Sequence, residues 1–255
     1  MNILHINSYF NGSTFYKNLF DEQDKMGLNI SVYVPAYKVI DPSTDFGDYT
    51  KISINHHKLD RVFFHLKHKK IFSDIFGSYD FKKISLIHAH SLFSNGYIAL
   101  KLKRKFGIPY IVAVRNTDVN WFFKYMIHLR KIGIEIMKES EKVFFLSNTY
   151  RDFVIYKYVP KKFRKLILNK TMVIPNGIDD FWFQNKGSIK VPKKSSLKLL
   201  YVGVINKNKN LLTTIKAIEV LRKNINVEYT IVGKIVDSKI CKKIKNLPYV
   251  KYIEP

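Results

Sequence analysis

Residues 199–217 change their hydrophobic period halfway along, and this change restricts the fold more than any other feature of the chain. Residues 199–202 are a short apolar run followed by Gly203, as expected of a buried parallel strand. From Leu211 onward, apolar residues recur at 215, 218 and 221, which is a helical spacing. The stretch therefore predicts a strand, a glycine turn, a polar loop and a helix.

The loop between this strand and this helix suits an anion. Residues 206–210 contain Lys207 and Lys209 between asparagines that can cap a helix. A helix start offers free backbone N–H groups, and parallel α/β sheets bind ligands beyond the carboxyl ends of their strands. The loop is a candidate phosphate site. The alternative is an ordinary connection in a chain rich in lysine and asparagine.

Most of the chain repeats this order of strand, loop and helix, so the predicted fold class is α/β. A dinucleotide fingerprint of the form G-x-G-x-x-G is absent from the sequence. Strands are predicted at 1–7, at 28–34 with an end at Pro35, and at 84–90, 110–114, 143–146, 171–174, 227–232 and 250–253. Helices are predicted at 15–24, 62–76, 96–106 with a Gly107 cap, 121–138 with a bend near Gly133, 149–158, 211–221 and 238–246.

The pattern indicates two domains. Residues 1–180 form the first, and residues 181–196 lack a regular period and read as a linker. Residues 197–255 begin a second domain with three strands and two helices, which is half of a doubly wound fold. We therefore expect the second domain to be incomplete and the chain to be truncated.

Composition favours a folded cytoplasmic protein. Of the 255 residues, 46% are hydrophobic and 15% aromatic, which is enough for a real core. No signal peptide or membrane-spanning run is evident, and the single cysteine, Cys241, excludes an internal disulfide. The net charge of +24 attracts phosphates, anionic lipids or nucleic acid, although abundant Lys, Asn and Ile also suggest AT-rich codon usage. Basic residues cluster at 101–105 and 157–170.

Polar candidates follow two middle strands. Arg115, Asn116 and Asp118 come directly after the strand at 110–114, where α/β proteins place functional side chains. His88 and His90 are expected on opposite faces of their strand, with His90 the one that faces a cleft. The alternative for each histidine is that it lies behind the site and is held there by hydrogen bonds.

A metal site is not expected. The spacing of His56, His57, His65 and His68 fits no usual zinc pattern, and solvated basic surface is the favoured interpretation.

The predicted helix at 121–138 has a basic stripe. Lys124, His128 and Lys131 fall on one side and apolar residues on another. Such a helix can lie on an anionic membrane surface, and a merely solvated face is the alternative.

Four segments taken together resemble a known family. In order, they are HAHSLFSNGYIALKLKRKFGIPYIV, VIPNGID, LLYVGVINKNKNLLTTIKAI and YTIVG. They are similar to family 4 of the retaining glycosyltransferases, bacterial enzymes of capsule, exopolysaccharide and lipopolysaccharide synthesis. The resemblance implies two Rossmann-like domains that face a cleft (the GT-B type), with the acceptor in the first domain and the nucleotide sugar in the second. It also implies that no metal or other cofactor is needed.

The resemblance assigns roles to individual residues. Lys209 matches the lysine that contacts the donor diphosphate, and Gly203 matches the glycine before it. Val204 stands where the family commonly has an arginine, so Lys207 is the candidate replacement. The two-glutamate motif of the family is expected beyond Pro255.

On the acceptor side, the resemblance points to the loop that contains Gly12 and Ser13, together with His90 and Arg115. Asp118 and Asn116 are the catalytic candidates. Many members have a His-Asp pair where this chain has residues 115–118, and the histidine of that pair has no clear counterpart here.

The expected activity is sugar transfer with retention from a nucleotide-sugar donor to a membrane-associated glycan or lipid-linked acceptor. The protein is expected in the cytoplasm or on the inner face of the cell membrane. Three alternatives stay open: a sugar-nucleotide 2-epimerase of the same architecture, a non-catalytic remnant, and a basic protein that binds nucleic acid. The last is disfavoured because no nucleic-acid-binding motif is found.

Overall fold

The computed structural model describes residues 1–11, 14–40, 43–187 and 196–254, apart from the side chain of Arg61. Gly12 and Ser13, and residues 188–195 of the predicted linker, lie outside the described residues. The chain divides into two compact units, residues 1–182 and residues 183–255. The division falls at the start of the predicted linker.

The first unit contains a seven-stranded, all-parallel sheet in the order β3-β2-β1-β4-β5-β6-β7. Its strands are β1 (Asn2–Ile6), β2 (Asn29–Ala36), β3 (Thr50–Ile54), β4 (Leu86–Ala89), β5 (Tyr110–Ala113), β6 (Lys142–Phe145) and β7 (Thr171–Val173). The order reverses between β1 and β4, and parallel sheets of this kind bind ligands at such a switch point. The α/β prediction is confirmed.

Helices cover the two faces of this sheet unequally. They are α1 (Thr14–Lys25), α2 (Phe64–Phe76), α3 (Gly96–Phe106), α4 (Arg130–Glu139), α5 (Asn148–Tyr158), α6 (Lys161–Leu168) and α7 (Asp180–Gln184), the last crossing the boundary between units. The larger core joins α2 to α6 with one face, and a smaller core joins α1 with the β1 and β2 half of the other face. On that second face, β4 to β7 are less covered than β1 and β2.

In the first unit, the end of one strand was predicted wrongly and another strand was missed. The strand β2 continues through Pro35, because its pairing with β1 ends at Tyr33 and Pro35 has only β3 beside it, as at a sheet edge. The strand β3, half-exposed at the edge of the sheet, was not predicted.

The predicted helix at 121–138 is also wrong in form. A π-helical segment, Asp118–Phe123, and a 3₁₀ turn, Ile127–Leu129, precede α4, which continues through Gly133 without a break. The glycine allows close packing instead of a bend, since a Cβ at Gly133 would lie 2.6 Å from the Cζ of Phe93.

The second unit contains three parallel strands in the order β10-β9-β8. They are β8 (Ser196–Val202), β9 (Asn226–Val232) and β10 (Val250–Ile253), and they alternate with α8 (Leu211–Leu221) and α9 (Ser238–Lys245). Both helices pack on one face of the sheet around Ile215, Ile231 and Ile244. The order of elements agrees with the prediction, and β8 begins three residues earlier than the apolar run.

Candidate functional site

The first group of candidate residues lies at the carboxyl ends of β1, β4 and β5. These strands are neighbours in the sheet, so the loops that follow them meet at one edge. His90, Arg115 and Asp118 belong to two of these loops, and short contacts join them. The structure therefore brings these three predicted residues together at one edge of the sheet.

Asp118 lies beneath this edge and not on its surface. Its side chain is fully buried, and its carboxylate accepts hydrogen bonds from the backbone N–H groups of Leu92 (2.9 Å), Phe93 (3.0 Å) and Arg115 (2.8 Å). Burial raises the pKa of Asp118 to about 6, although the three N–H donors oppose the shift. The carboxylate ties the loop after β4 to the loop after β5, which is the geometry of a positioning residue.

Arg115 lies between the two loops. Its Nε donates to the backbone oxygen of His90 over 3.3 Å, and its Nη1 donates to Oδ1 of Asn176 over 3.2 Å. Asn116 is exposed and turns toward α5, where its Oδ1 accepts a hydrogen bond from the hydroxyl of Tyr150 at 3.0 Å. Of these two neighbours, Arg115 has the side chain that faces the cavity described next.

A cavity of about 800 Å³ opens on the less covered face of the first sheet. Its walls come from α1, from β4 to β6 and from the segment after β7. Asn18 of α1 donates to Asp179 of that segment over 2.9 Å. Apolar side chains dominate the lining. Contacts join four of its polar residues into one polar end, namely His88, His90, Arg115 and Asn176, and the other polar residues of the lining are Thr14, Asn18, Glu22, Gln23 and Asp179. Such a pocket suits a ligand with an apolar part and a polar or anionic end.

Three histidines meet at the polar end of this cavity. His5 of β1 is paired in register with His88 of β4, and the rings of His88 and His90 stack with centroids 4.0 Å apart. The expectation that His88 and His90 lie on opposite faces was wrong, because residues two apart on a strand share a face. His5 was not among the candidate residues predicted from the sequence. It could have been found as a histidine on β1, the strand that pairs with β4 beside the sequence His88-Ala89-His90.

Two of these histidines have unmatched ring nitrogens. His5 Nδ1 and His90 Nε2 are 3.0 Å apart, whereas His5 Nε2 and His90 Nδ1 are buried without a hydrogen-bond partner. Each unpaired buried polar atom costs about 1–3 kcal/mol. Burial lowers the pKa of His5 to about 3 and holds the pKa values of His88 and His90 well below 6.5, so all three imidazoles are neutral at neutral pH.

The four histidines expected on solvated surface divide into two pairs. His57 and His65 are exposed, as predicted. The prediction was wrong for His56 and His68, which are buried. His68 is held by the backbone oxygens of Phe64 (2.6 Å from Nδ1) and Ser94 (3.0 Å from Nε2), and burial lowers its pKa to about 3.

The second unit has its own site at the carboxyl ends of β8 and β9. Gly203 (φ +150°) and Gly233 (φ +157°) end these strands side by side. Asn206 caps the short 3₁₀ turn Lys207–Lys209, since its Oδ1 accepts a hydrogen bond from the N–H of Lys209 at 3.2 Å. The strand, glycine turn, cationic loop and helix follow one another as the sequence predicts.

A second cavity, of about 500 Å³, lies between this loop and the start of α9. Lys207 lines it, together with Asn206, Asn208 and residues 236–239. Lys209 is exposed on the same turn, and within the described ranges neither lysine has an ion pair at 4 Å or less. Their charges are therefore available to a ligand.

An exposed aromatic and basic surface lies on the π-helical segment and the turn that follows it. The exposed fractions of Trp121, Tyr125 and Ile127 are 53%, 60% and 65%, and Lys124 lies among them. In the described part of the chain, no helix combines the length and the apolar character needed to cross a bilayer.

Comparison with known proteins identifies the first unit. The family model described as Glycosyltransferase Family 4 matches residues 12–180. An uncharacterized glycosyltransferase, MJ1178 of Methanocaldococcus jannaschii, is 27% identical over 172 residues, which are 64% of this chain and 40% of that protein. The capsular polysaccharide biosynthesis glycosyltransferase CapH of Staphylococcus aureus is 31% identical over 169 residues, 60% of this chain and 41% of that protein. The chain thus spans about two fifths of the length of these relatives.

Solved structures share the fold across both units. The structure of trehalose-6-phosphate from E. coli bound with UDP-2-fluoro glucose aligns with a TM-score of 0.66 and 10% identity over 100% of this chain and 74% of that one. The UDP-GlcNAc 2-epimerase of Neisseria meningitidis, bound to UDP-GlcNAc, aligns with a TM-score of 0.55 and 14% identity over 100% and 72%. At such low identity these matches show the fold alone, with Rossmann-like units of the GT-B type. Because the family model covers more than half of the sequence, the chain belongs to Glycosyltransferase Family 4.

Proposed function

We propose that this protein takes part in the transfer of a sugar, with retention, from a nucleotide-sugar donor to a membrane-associated glycan or lipid-linked acceptor in surface polysaccharide synthesis. Family membership supports the reaction class. The observation that carries the donor side is the loop after β8, where Gly203 precedes two exposed lysines without an ion pair in the described ranges, one of which, Lys207, lines a cavity. CapH, a relative named for capsular polysaccharide biosynthesis, supports the choice of pathway.

The chemistry of the donor explains why this loop suits it. When a nucleotide sugar breaks at the anomeric carbon, negative charge develops on the leaving diphosphate while the sugar becomes oxocarbenium-like. Preorganised cations and N–H dipoles at the diphosphate stabilise that transition state, and this is usually the largest catalytic contribution. We assign this role to Lys207 and Lys209. Gly203 lets the backbone approach the phosphates closely.

The cavity of the first unit is the proposed acceptor site. Arg115 and His90 supply polar contacts at its inner end, and the apolar lining suits the lipid part of a lipid-linked acceptor. Asp118 acts through the two loops that it joins, since its carboxylate is sealed from any ligand. Asn116 stays a candidate for contact with the reacting sugar from the exposed side, and Gly12 and Ser13 keep their proposed acceptor roles.

Nucleotide binding tests the donor assignment. We expect Lys207→Ala and Lys209→Ala each to weaken binding of a nucleoside diphosphate by about tenfold to a hundredfold, since a hydrogen bond to a charged group contributes about 1.5–3 kcal/mol. Isothermal titration with a panel of nucleoside diphosphates measures the change. Lys216→Ala, which removes an exposed lysine from the middle of α8, is the matched control. Equal affinities in all four proteins contradict the assignment of both lysines.

The same titration addresses the alternatives. No binding of any nucleoside diphosphate by the wild-type chain supports the non-catalytic remnant. Rearrangement or hydrolysis of a nucleotide sugar without any acceptor supports an epimerase. Binding to duplex DNA that exceeds binding to anionic vesicles at equal salt supports the nucleic-acid-binding alternative.

We also propose that the aromatic and basic surface around Trp121 docks on an anionic membrane. Each lysine near such a surface contributes about 1 kcal/mol, and a buried large apolar side chain contributes about 1.5–3 kcal/mol. We therefore expect the double variant Trp121→Ala with Lys124→Ala to weaken binding to phosphatidylglycerol vesicles by at least about tenfold. Sedimentation with these vesicles, and with neutral phosphatidylcholine vesicles, measures the change.

A matched control separates this surface from the general positive charge. Leu59→Ala with Lys82→Ala removes one exposed apolar side chain and one exposed lysine elsewhere on the first unit. Its vesicle binding is expected to equal that of the wild type. If both double variants lose the same affinity, the net charge of +24 and not this surface governs the attraction.

A further inference from the structure

The three histidines at the polar end of the larger cavity are arranged as a set of metal ligands. Each of His5, His88 and His90 offers one ring nitrogen, and these nitrogens lie within 4.8 Å of one another. A tetrahedral zinc ion with bonds of about 2.0–2.1 Å holds its nitrogen ligands roughly 3.3 Å apart. The nitrogens of His5 and His90 are already 3.0 Å apart, and the stacked rings of His88 and His90 must rotate for their lone pairs to converge on one ion.

Hydrogen bonding within the cluster does not satisfy these rings. If His90 Nε2 donates to His5 Nδ1, the lone pair of His90 Nδ1 and the N–H of His5 Nε2 stay unmatched; reversing the donor exchanges the two. Every neutral tautomer therefore leaves one buried lone pair and one buried N–H. A metal ion bound by His5 Nδ1 and His90 Nε2 accepts both of these lone pairs at once, which a shared proton cannot do, and the N–H groups then lie on His5 Nε2 and His90 Nδ1.

The residues around the three histidines favour binding of a metal ion by neutral imidazole rings and also limit the affinity for that ion. His5 and His90 are buried against the rings of Tyr16 and Phe20 on α1, which exclude water from one side of the cluster. Burial keeps the rings uncharged, the form that binds metal. The positive charge of the Arg115 guanidinium acts on His88 and His90, and it lowers the affinity of the cluster for a cation.

We propose that His5, His88 and His90 bind one divalent transition-metal ion, with zinc the best chemical match, and that its fourth coordination position opens into the cavity. Three imidazoles with one open position are typical of zinc sites that accept water or an oxygen atom of a ligand. His88 and His90 both line the cavity, so an oxygen ligand can approach from that side. This inference departs from the expectation, drawn from the sequence, that the protein needs no metal.

Cobalt and zinc titrations test the site in the full chain. After removal of metals with a chelator, we expect Co²⁺ to bind with one equivalent and to give the strong visible absorption of four-coordinate cobalt, which Zn²⁺ then displaces. His88→Gln is the first variant, because His88 is partly exposed on the cavity side and its loss spares the buried contact of His5 with His90. We expect it to weaken Co²⁺ binding by at least about a hundredfold, since loss of a supporting partner alone can weaken metal affinity by 10–100-fold.

Two controls keep the result decisive. His65→Gln removes an exposed histidine outside the cluster and is expected to bind Co²⁺ like the wild type. Arg115→Gln removes the opposing charge and is expected to tighten Co²⁺ binding several-fold. Thermal melts by circular dichroism verify that each variant is folded, and His5→Gln replaces His88→Gln if the latter is not. An octahedral cobalt spectrum, no saturable binding, or equal affinity in the cluster variant and His65→Gln overturns the proposal.

Discussion

Replacing Gly233 with alanine is expected to disrupt the carboxyl ends of β8 and β9. A Cβ at this position would lie 1.8 Å from the backbone oxygen of Gly203, and φ is +157°, where side chains are strained. Overpacking against flexible side chains costs about 1–3 kcal/mol, and a sparsely populated backbone conformation adds about 1–3 kcal/mol. Backbone cannot rotate away as a side chain can, so we expect a total loss above about 3 kcal/mol.

Hydrogen exchange and nucleotide titration measure this effect. The amides of residues 202–205 and 232–236 are expected to lose protection, because the two strand ends must separate to admit the methyl group. The affinity for a nucleoside diphosphate is expected to fall as well, because the loop after β8 starts at Gly203. Gly187→Ala is the control, because a Cβ there meets no atom within 4 Å. Protection and binding equal to the wild type in Gly233→Ala would contradict the close approach of the two glycines.

Replacing Asp118 with alanine is expected to lower the stability of the first unit by about 2–4 kcal/mol at pH 7. The substitution leaves three buried N–H groups unpaired, each worth about 1–3 kcal/mol. Part of that loss is offset, because the shift of the pKa from 3.8 to about 6 means that ionised Asp118 costs about 3 kcal/mol at neutral pH. Urea denaturation followed by circular dichroism measures the difference. Asp24→Ala removes an exposed carboxylate and should change stability by less than about 0.5 kcal/mol.

The variant Asp118→Asn and the pH dependence of stability test the role of the Asp118 carboxylate further. In Asp118→Asn one oxygen can still accept two of the N–H groups, but the amide NH₂ faces the third, so we expect a smaller loss than in Asp118→Ala. The raised pKa means that the native state binds a proton more tightly than the unfolded state. Asp118 therefore stabilises the fold below pH 4, and this contribution declines as the pH rises through about 6. A wild-type stability that falls no faster than that of Asp118→Asn over this range would contradict the buried carboxylate.

Local patterns account for the parts of the fold that the sequence predicted. The change of period at residues 199–217 correctly predicted β8, the cationic loop and α8, because hydrophobic spacing and glycine are short-range signals. Arg115 and His90 were located at one edge for the same reason, since parallel strands place their carboxyl ends together. Failures occurred where neighbours override local preference. Pro35 stays in its strand because it is paired on one side only, and Gly133 stays in its helix because Phe93 packs against it.

The sequence by itself determined the order of strands and helices, the positive charge, and the family to which the chain belongs. Only the tertiary structure decided that Asp118 is sealed under its loop and that His5, separated by 85 residues from His90, meets it beside His88. The physical reason is that periodicity reports which face of an element is buried, whereas the identity of its neighbours follows from strand order. Contacts between distant strands arise only when the sheet assembles β4 beside β1, and the histidine cluster exists because of that one adjacency.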